Sequence, residues 1–381
     1  MIWFISSDKK HYFEEIEKLK KDYNLIKIIP LPSKEDILKA LSSSGVGFIS
    51  NMPPKDKYRS FMVLKELSLN GEILTTQEKQ YGVKEEEALE RTFGLKVSKP
   101  TVTIEKDMIG QDKFRSFYEN VKNNIKSETQ TEPIFELGVP GVGKSYSASC
   151  LAGSLGCSLI QLNLTMFVER GQGVNLLNKF FHYLATKKPK CVVLFDEFEN
   201  MVESKAIMGS LLSILGSLND KSQGGYILTP HQVLIATANN ITDIVKTKPQ
   251  FFRLGRWSYK FFFNYPIKKD ALSTLQYFSK KYNVIADNEH VEDIFISYMG
   301  EHRDNFVAPR SVYSQVELKF LLKSLEDMDL RELKIENNKK YKSVLLEKIK
   351  KITPSQENTK QGIAKLLSDS RANKFTDVDS I

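Results

Sequence analysis

The octapeptide GVPGVGKS, Gly138 to Ser145, constrains this chain more than any other stretch. It fits the pattern GxxxxGK[ST] and sits between an apolar run, PIFEL at 133–137, and a helix-like run, SYSASCLAGSLG. A strand that feeds a glycine-rich loop and then a helix turns the loop's N–H groups inward, with the positive end of the helix dipole behind them. That is a cradle for phosphate oxygens. Gly138, Val139, Pro140, Gly141, Val142 and Gly143 supply backbone, Lys144 reaches the β- and γ-phosphates, the Ser145 hydroxyl is placed for Mg2+, and Tyr146 follows on the helix. The same strand–loop–helix order commits the fold to an α/β class.

The rest of the chain carries that rhythm. Residues 1 to about 50 alternate strand-like runs (IWFIS, LIKIIPL, GVGFIS) with amphipathic stretches, the pattern of a small α/β unit without a phosphate loop of its own. From Pro53 to about Gly94 the pattern reads as mostly helical and charged, and KVSKPTVT at 96–103 reads as a linker. A second α/β segment offers five strands, PIFEL, SLIQLNL, CVVLF, QVLIATA and YKFFFNY, whose unbroken apolar runs mark a parallel sheet buried on both faces. Helical spacing takes over beyond Pro266. We therefore expect a small α/β domain at 1–95, a three-layer phosphate-loop core with a five-stranded parallel sheet at 96–266, a helical lid at 267–330, and a basic helical extension at 331–381. The end of that extension, SDSRANKFTDVDSI, is expected to fray.

A phosphate loop needs a carboxylate near its metal. CVVLFDE supplies Asp196 at a strand end, and Glu197 follows as the candidate general base toward an attacking water. QVLIATANN ends a further strand on Asn239, placed to hydrogen-bond the γ-phosphate or that water. FFRLGRW then brings Arg253 and Arg256, cations too far along the chain to serve their own loop but suited to a neighbouring subunit's site.

Composition narrows the classes. The formal charge of +8 is a mild excess over 381 residues, and from Arg331 onward 12 Lys and Arg face 7 Asp and Glu. That is weaker than the concentrated stripe of a dedicated DNA binder. No apolar run approaches the roughly 20 residues a membrane helix needs, and no leader pattern opens the chain, so a cytoplasmic protein without a membrane partner is expected. Cys150, Cys157 and Cys191 show no pairing or zinc spacing and read as small buried residues.

In order, GVPGVGKS, LFDE, ATANN and RLGRW resemble the AAA+ ATPases, and within them the AAA clade in the narrow sense, over roughly residues 105 to 320. The resemblance implies ATP hydrolysis with Mg2+ in a ring, usually a homo-hexamer, with nucleotide between subunits. It casts Gly138 to Ser145 as Walker A, Asp196 and Glu197 as Walker B, Asn239 as sensor 1, and Arg253 and Arg256 as arginine fingers. MIGQD at 108–112 resembles the family's entry segment, with Ile109 and Gly110 beside adenine. VAPRS at 307–311 resembles a sensor 2 segment, with Arg310 either in that role or a helix-starting surface residue. Phe167 is either a pore residue or a buried loop anchor. The usual work of such rings is remodelling or threading a protein, with residues 1–95 in the place of an adaptor or substrate-recognition domain. A nucleic-acid loader or translocase, and a slowly hydrolysing scaffold, are the alternatives.

Overall fold

The computed structural model describes residues 2–5, 25–29, 46–50, 62–66, 89–90, 93, 95–162, 173–253, 255–301, 314–352 and 360–379. The chain divides into two compact units.

The first unit comprises residues 1–97, 165–189 and 217–228. Four strands, β1 (Ile2–Ile5), β2 (Leu25–Ile29), β3 (Val46–Ser50) and β4 (Met62–Glu66), form a sheet in the order β2-β1-β4-β3. β1 and β2 run parallel, as the alternating pattern predicts, while β4 is antiparallel to both β1 and β3. β4 corrects the reading of 53–94 as mostly helical: MVLKE is a five-residue run, too short to stand out beside the charged stretch that follows it. The supposed linker at 96–103 likewise begins as a strand, β5 (Leu95–Ser98), where alternating Leu95 and Val97 outweigh the pre-proline break downstream. The helix Gly173–Lys187 packs in this unit through Phe180, edge-on to Phe93 at 5.8 Å, and Phe181, stacked on Tyr226 at 5.8 Å.

The second unit comprises residues 98–164, 190–216 and 229–381. Its six strands are β6 (Ile134–Gly138), β7 (Ser158–Leu162), β8 (Cys191–Phe195), β9 (Gln232–Ala238), β10 (Tyr259–Phe263) and β11 (Thr376–Asp377). They lie side by side in the order β11-β10-β6-β9-β8-β7. Neighbouring strands among these six all pair in parallel. Residues of β6, β8 and β9 are buried throughout, as unbroken apolar runs require when helices cover both faces.

The five predicted strands are present, and β11 adds to them. Two polar residues carry no strand signal; they pair with Phe261 and Phe262 of β10 after the chain has returned to the sheet edge. Residues 375–379 therefore do not fray. Val378 and Asp379 are buried, Val378 N–H donates to the Phe262 carbonyl, and Phe375 packs edge-on against Phe135 and Phe252.

The helices Lys268–Lys281, Asn288–Glu301, Gln315–Lys323, Leu330–Glu336 and Asn338–Lys350 share one apolar core built on Leu275, Ile294, Leu318, Leu321 and Leu345. Ser314 starts the third of these through a capping box with Glu317. That start fixes Gln315 and Val316 beside the glycine loop.

Candidate nucleotide site

β6 delivers the chain to Gly138, where a Cβ would meet the Phe263 carbonyl oxygen at 2.1 Å, so only glycine lets β10 and β6 lie so close. The loop then passes through Gly141 and Gly143, with φ of 78° and 94° in the left-handed region, and enters the helix Lys144–Ser154 without a capping side chain. The start of such a helix, with its dipole behind it, suits an anion. Val139 and Val142 turn their side chains into the core and pin the loop from below. Lys144 is buried, and its ammonium donates to the carbonyls of Gly138 (2.8 Å) and Val139 (2.9 Å) and to Asn239 Oδ1 (2.8 Å).

Parallel register brings the acidic strand end beside this loop. Leu162 of β7 pairs with Phe195 of β8, Phe195 with Ala236 of β9, and Leu137 of β6 with Ala238, so the carboxyl ends of the strands share one rim. Asp196 sits there and accepts from Ser145 Oγ (2.8 Å), from Gln161 Nε2 (2.8 Å) and from Thr237 Oγ1. Thr237 Oγ1 also accepts the Glu197 N–H at 3.4 Å. Glu197 adopts φ 51° and turns an exposed carboxylate toward the cleft, held by Asn200 Nδ2 at 3.1 Å. Glu199 accepts the Asn239 N–H at 3.0 Å, and burial raises its carboxyl above the usual range.

Below the loop, Glu136 of β6 is fully buried, with Ser147 Oγ 2.8 Å from each carboxyl oxygen. Burial pushes it well above the usual carboxylate range, against opposing pulls from Ser147 and Lys144.

Two adjoining pockets, of about 310 and 170 Å³, share Gly141, Gly143, Tyr146 and Val316 and so form one cleft. The larger is lined by Lys144, Ser145, Asp196, Glu197, Thr237 and Asn239. The smaller is mostly apolar, lined among others by Met108, Ile109, Tyr277 and Phe278, with Gln111 and Gln315 as its amides. Gly110 backs the Ile109 wall, with φ 68° and no room for a Cβ against Asp270. A polar, glycine-walled end joined to a flat apolar end has the chemistry of a nucleotide site: polyphosphate in one, base in the other.

Residues Gly138 to Tyr146, Asp196, Glu197, Asn239 and Ile109 are thus brought together. Arg253 and Arg256 line neither pocket. Arg253 is exposed, while the Arg256 guanidinium donates to the Gln250 carbonyl at 2.7 Å. Arg310 and Phe167 lie outside the described residues. Sequence reasoning missed Gln161, Thr237 and Glu199, the residues that orient Asp196 and Asn239; an isolated polar residue near the end of an apolar strand was the available signal for the first two. Among the described residues no group of three or more His, Cys, Asp and Glu could cage a metal. Mg2+ held with a nucleotide needs only one or two protein oxygens, and the Ser145–Asp196 pair fits that demand.

Residues 134–265 match the model of the ATPase family associated with various cellular activities (AAA). The fold is similar to that in the crystal structure of the FIGL-1 AAA domain, at a TM-score of 0.53 and 12% identity, over 78% of this chain and 98% of that one. No curated protein matches the chain in sequence. The glycine loop, the acidic strand end and strands β6 to β10 all fall inside the matched segment, so residues 134–265 are similar to an AAA domain in sequence as well as in fold.

Proposed function

We propose that the chain hydrolyses ATP with Mg2+ in a cytoplasmic homo-hexameric ring and uses the cycle to remodel or thread a protein. The observation that carries the hydrolytic part is the convergence of Lys144, Ser145, Asp196, Glu197 and Asn239 on one end of one cleft. Lys144 exchanges its three intramolecular acceptors for β- and γ-phosphate oxygens. Ser145 Oγ and Asp196, the latter kept in orientation by Gln161 and Thr237, would hold Mg2+, which would supply positive charge beside the phosphates. Glu197 takes the proton of the attacking water, and Asn239 orients that water or the γ-phosphate.

Arg253 is the better placed of the two arginines to act in a neighbouring subunit, because Arg256 is engaged within its own chain. Residues 1–95 serve as the substrate or adaptor domain in this reading, and Arg310 and Phe167 keep the sensor and pore roles suggested by the family resemblance. Among the described residues no helix is long and apolar enough to cross a membrane.

The test is the ATPase rate of the whole chain alone and with an unfolded protein, single-stranded DNA, duplex DNA or RNA. Stimulation by unfolded protein supports remodelling. Stimulation by nucleic acid alone, falling steeply with salt, replaces it with the loader reading. A slow rate that no addition changes favours the scaffold.

A further inference from the structure

Residues 376–379 reach back to the segment that walls the smaller pocket. β11 carries the chain along the sheet edge to Asp379, which is buried, and the Asp379 carboxylate accepts the Gln111 N–H at 3.1 Å. One residue earlier, the Val378 carbonyl accepts the Lys113 N–H at 2.9 Å. Both N–H groups stand at the start of the helix Asp112–Lys126, whose N-cap residue, Gln111, supplies no capping side chain. Residues 378–379 therefore do for this helix what a cap does elsewhere, and they bring a carboxylate to the positive end of its dipole.

Gln111 needs such a hold. It adopts φ 57° and ψ 43°, a left-handed conformation that is unfavourable for a residue with a Cβ. From there its buried side chain, part of the wall of the smaller pocket, donates through Nε2 to the Val142 carbonyl of the glycine loop at 3.1 Å. A trans peptide points its N–H opposite to its carbonyl, so the bond that draws the Val142 carbonyl to Gln111 turns the Gly143 N–H away from it. Glycine at 143 tolerates either face of that peptide, and the loop alone does not choose one.

We propose that Asp379 is a positioning residue for the nucleotide cleft: it holds Gln111 in the left-handed conformation from which Nε2 fixes the Val142–Gly143 peptide. The proposal rests on the nucleotide reading above and extends it to a residue that lines neither pocket of the cleft. Turned away from Gln111, the Gly143 N–H is a donor for a phosphate oxygen. Without the carboxylate, Gln111 relaxes, Nε2 leaves Val142, and the loop must choose its face when nucleotide binds. Affinity then falls, while the chemistry of bound nucleotide, which depends on Lys144, Asp196 and Glu197, changes little.

The test is calorimetric titration of the full chain with ADP, together with steady-state ATP hydrolysis. Asp379→Ala is expected to weaken ADP about tenfold, the scale of a lost hydrogen bond to a charged group, and to raise KM for ATP with kcat within about twofold of the parent. Asp379→Asn, which keeps an oxygen to accept the Gln111 N–H, should stay within about threefold of the parent. Gln111→Ala should also weaken ADP, and adding Asp379→Ala to it should cost no more than about twofold further, because the carboxylate acts through the Gln111 side chain. If Asp379→Ala does not fold, Asp379→Ser, whose hydroxyl is too short to reach that N–H, takes its place in the cycle. A parent that binds ADP, with the Asp379 variant either within about twofold of it or losing the same tenfold on the Gln111→Ala background, would overturn the proposal and leave the nucleotide reading intact. A folded parent that binds neither ADP nor ATP would overturn that reading, and the proposal with it.

Discussion

The two ends of the cleft are built in opposite ways. At the phosphate end, the key polar groups are already bonded to one another: Lys144 to two carbonyls and Asn239, Asp196 to Ser145, Gln161 and Thr237, Glu197 to Asn200. Most of these groups come from the ends of strands whose register is fixed by the sheet. At the base end the walls come from the segment 107–111, from Tyr146, from the helix Lys268–Lys281 and from the helix Gln315–Lys323, and the polar contacts are few. Preorganisation belongs to the first end, adaptability to the second. Substitutions at the first should accordingly cost more, and should act on chemistry and metal rather than on base choice.

The largest effect is expected at Lys144. Lys144→Ala should weaken nucleotide binding by roughly a hundredfold or more, read by calorimetry, because it removes a charge-assisted phosphate contact at a buried point of the loop. Comparable affinity in the parent and the variant would dissolve the contrast between the two ends. Next comes Gln161, whose amide holds Asp196 from a neighbouring strand. Gln161→Leu should raise the Mg2+ concentration for half-maximal ATPase activity about tenfold with a smaller change in nucleotide affinity, as is usual when a partner of a metal-binding group is removed.

Glu136 sharpens the comparison through pH. Its folded-state pKa lies above the unfolded value, so the folded state binds the proton more tightly, and the stability it contributes is full below the unfolded pKa near 4.5 and is lost as pH rises toward the folded value. Glu136→Gln removes that dependence. The melting temperature of the variant relative to the parent should therefore increase from pH 4.5 upward, with a slope equivalent to about 1.4 kcal/mol per pH unit over the window. A constant difference across pH would mean that burial does not raise the titration of this carboxyl. The smallest effect is expected at the base end: Tyr277→Phe removes a 3.1 Å hydrogen bond to Asp107 and should shift the apparent KM for ATP only about two- to fivefold, without changing metal dependence.

The same contrast explains what could be read from the sequence. GVPGVGKS, CVVLFDE and QVLIATANN each place their polar residues directly after an apolar run, and a parallel sheet turns strand ends into spatial neighbours, so the phosphate end was legible at the level of residues. The supports of that end were half legible. Gln161 and Thr237 interrupt apolar runs, but only strand order, with β9 between β6 and β8, shows that both reach Asp196. Glu136 also interrupts an apolar run, yet its partner Ser147 reads as an ordinary helix residue. The base end was legible only in MIGQD and in Tyr146, because its other walls come together through tertiary packing. β4 and β11 were missed for a related reason: short strands carry too little local pattern, and pairing with a neighbour decides them.

The central claim is that Glu197 performs base chemistry at the preorganised end of the cleft. The direct measurement is single-turnover phosphate release from ATP by the parent and by Glu197→Gln, each at saturating Mg2+ and with nucleotide binding measured in parallel. The account predicts unchanged binding within about threefold and a hydrolysis rate lowered by roughly a hundredfold to ten-thousandfold. Equal rates in the two proteins would contradict it.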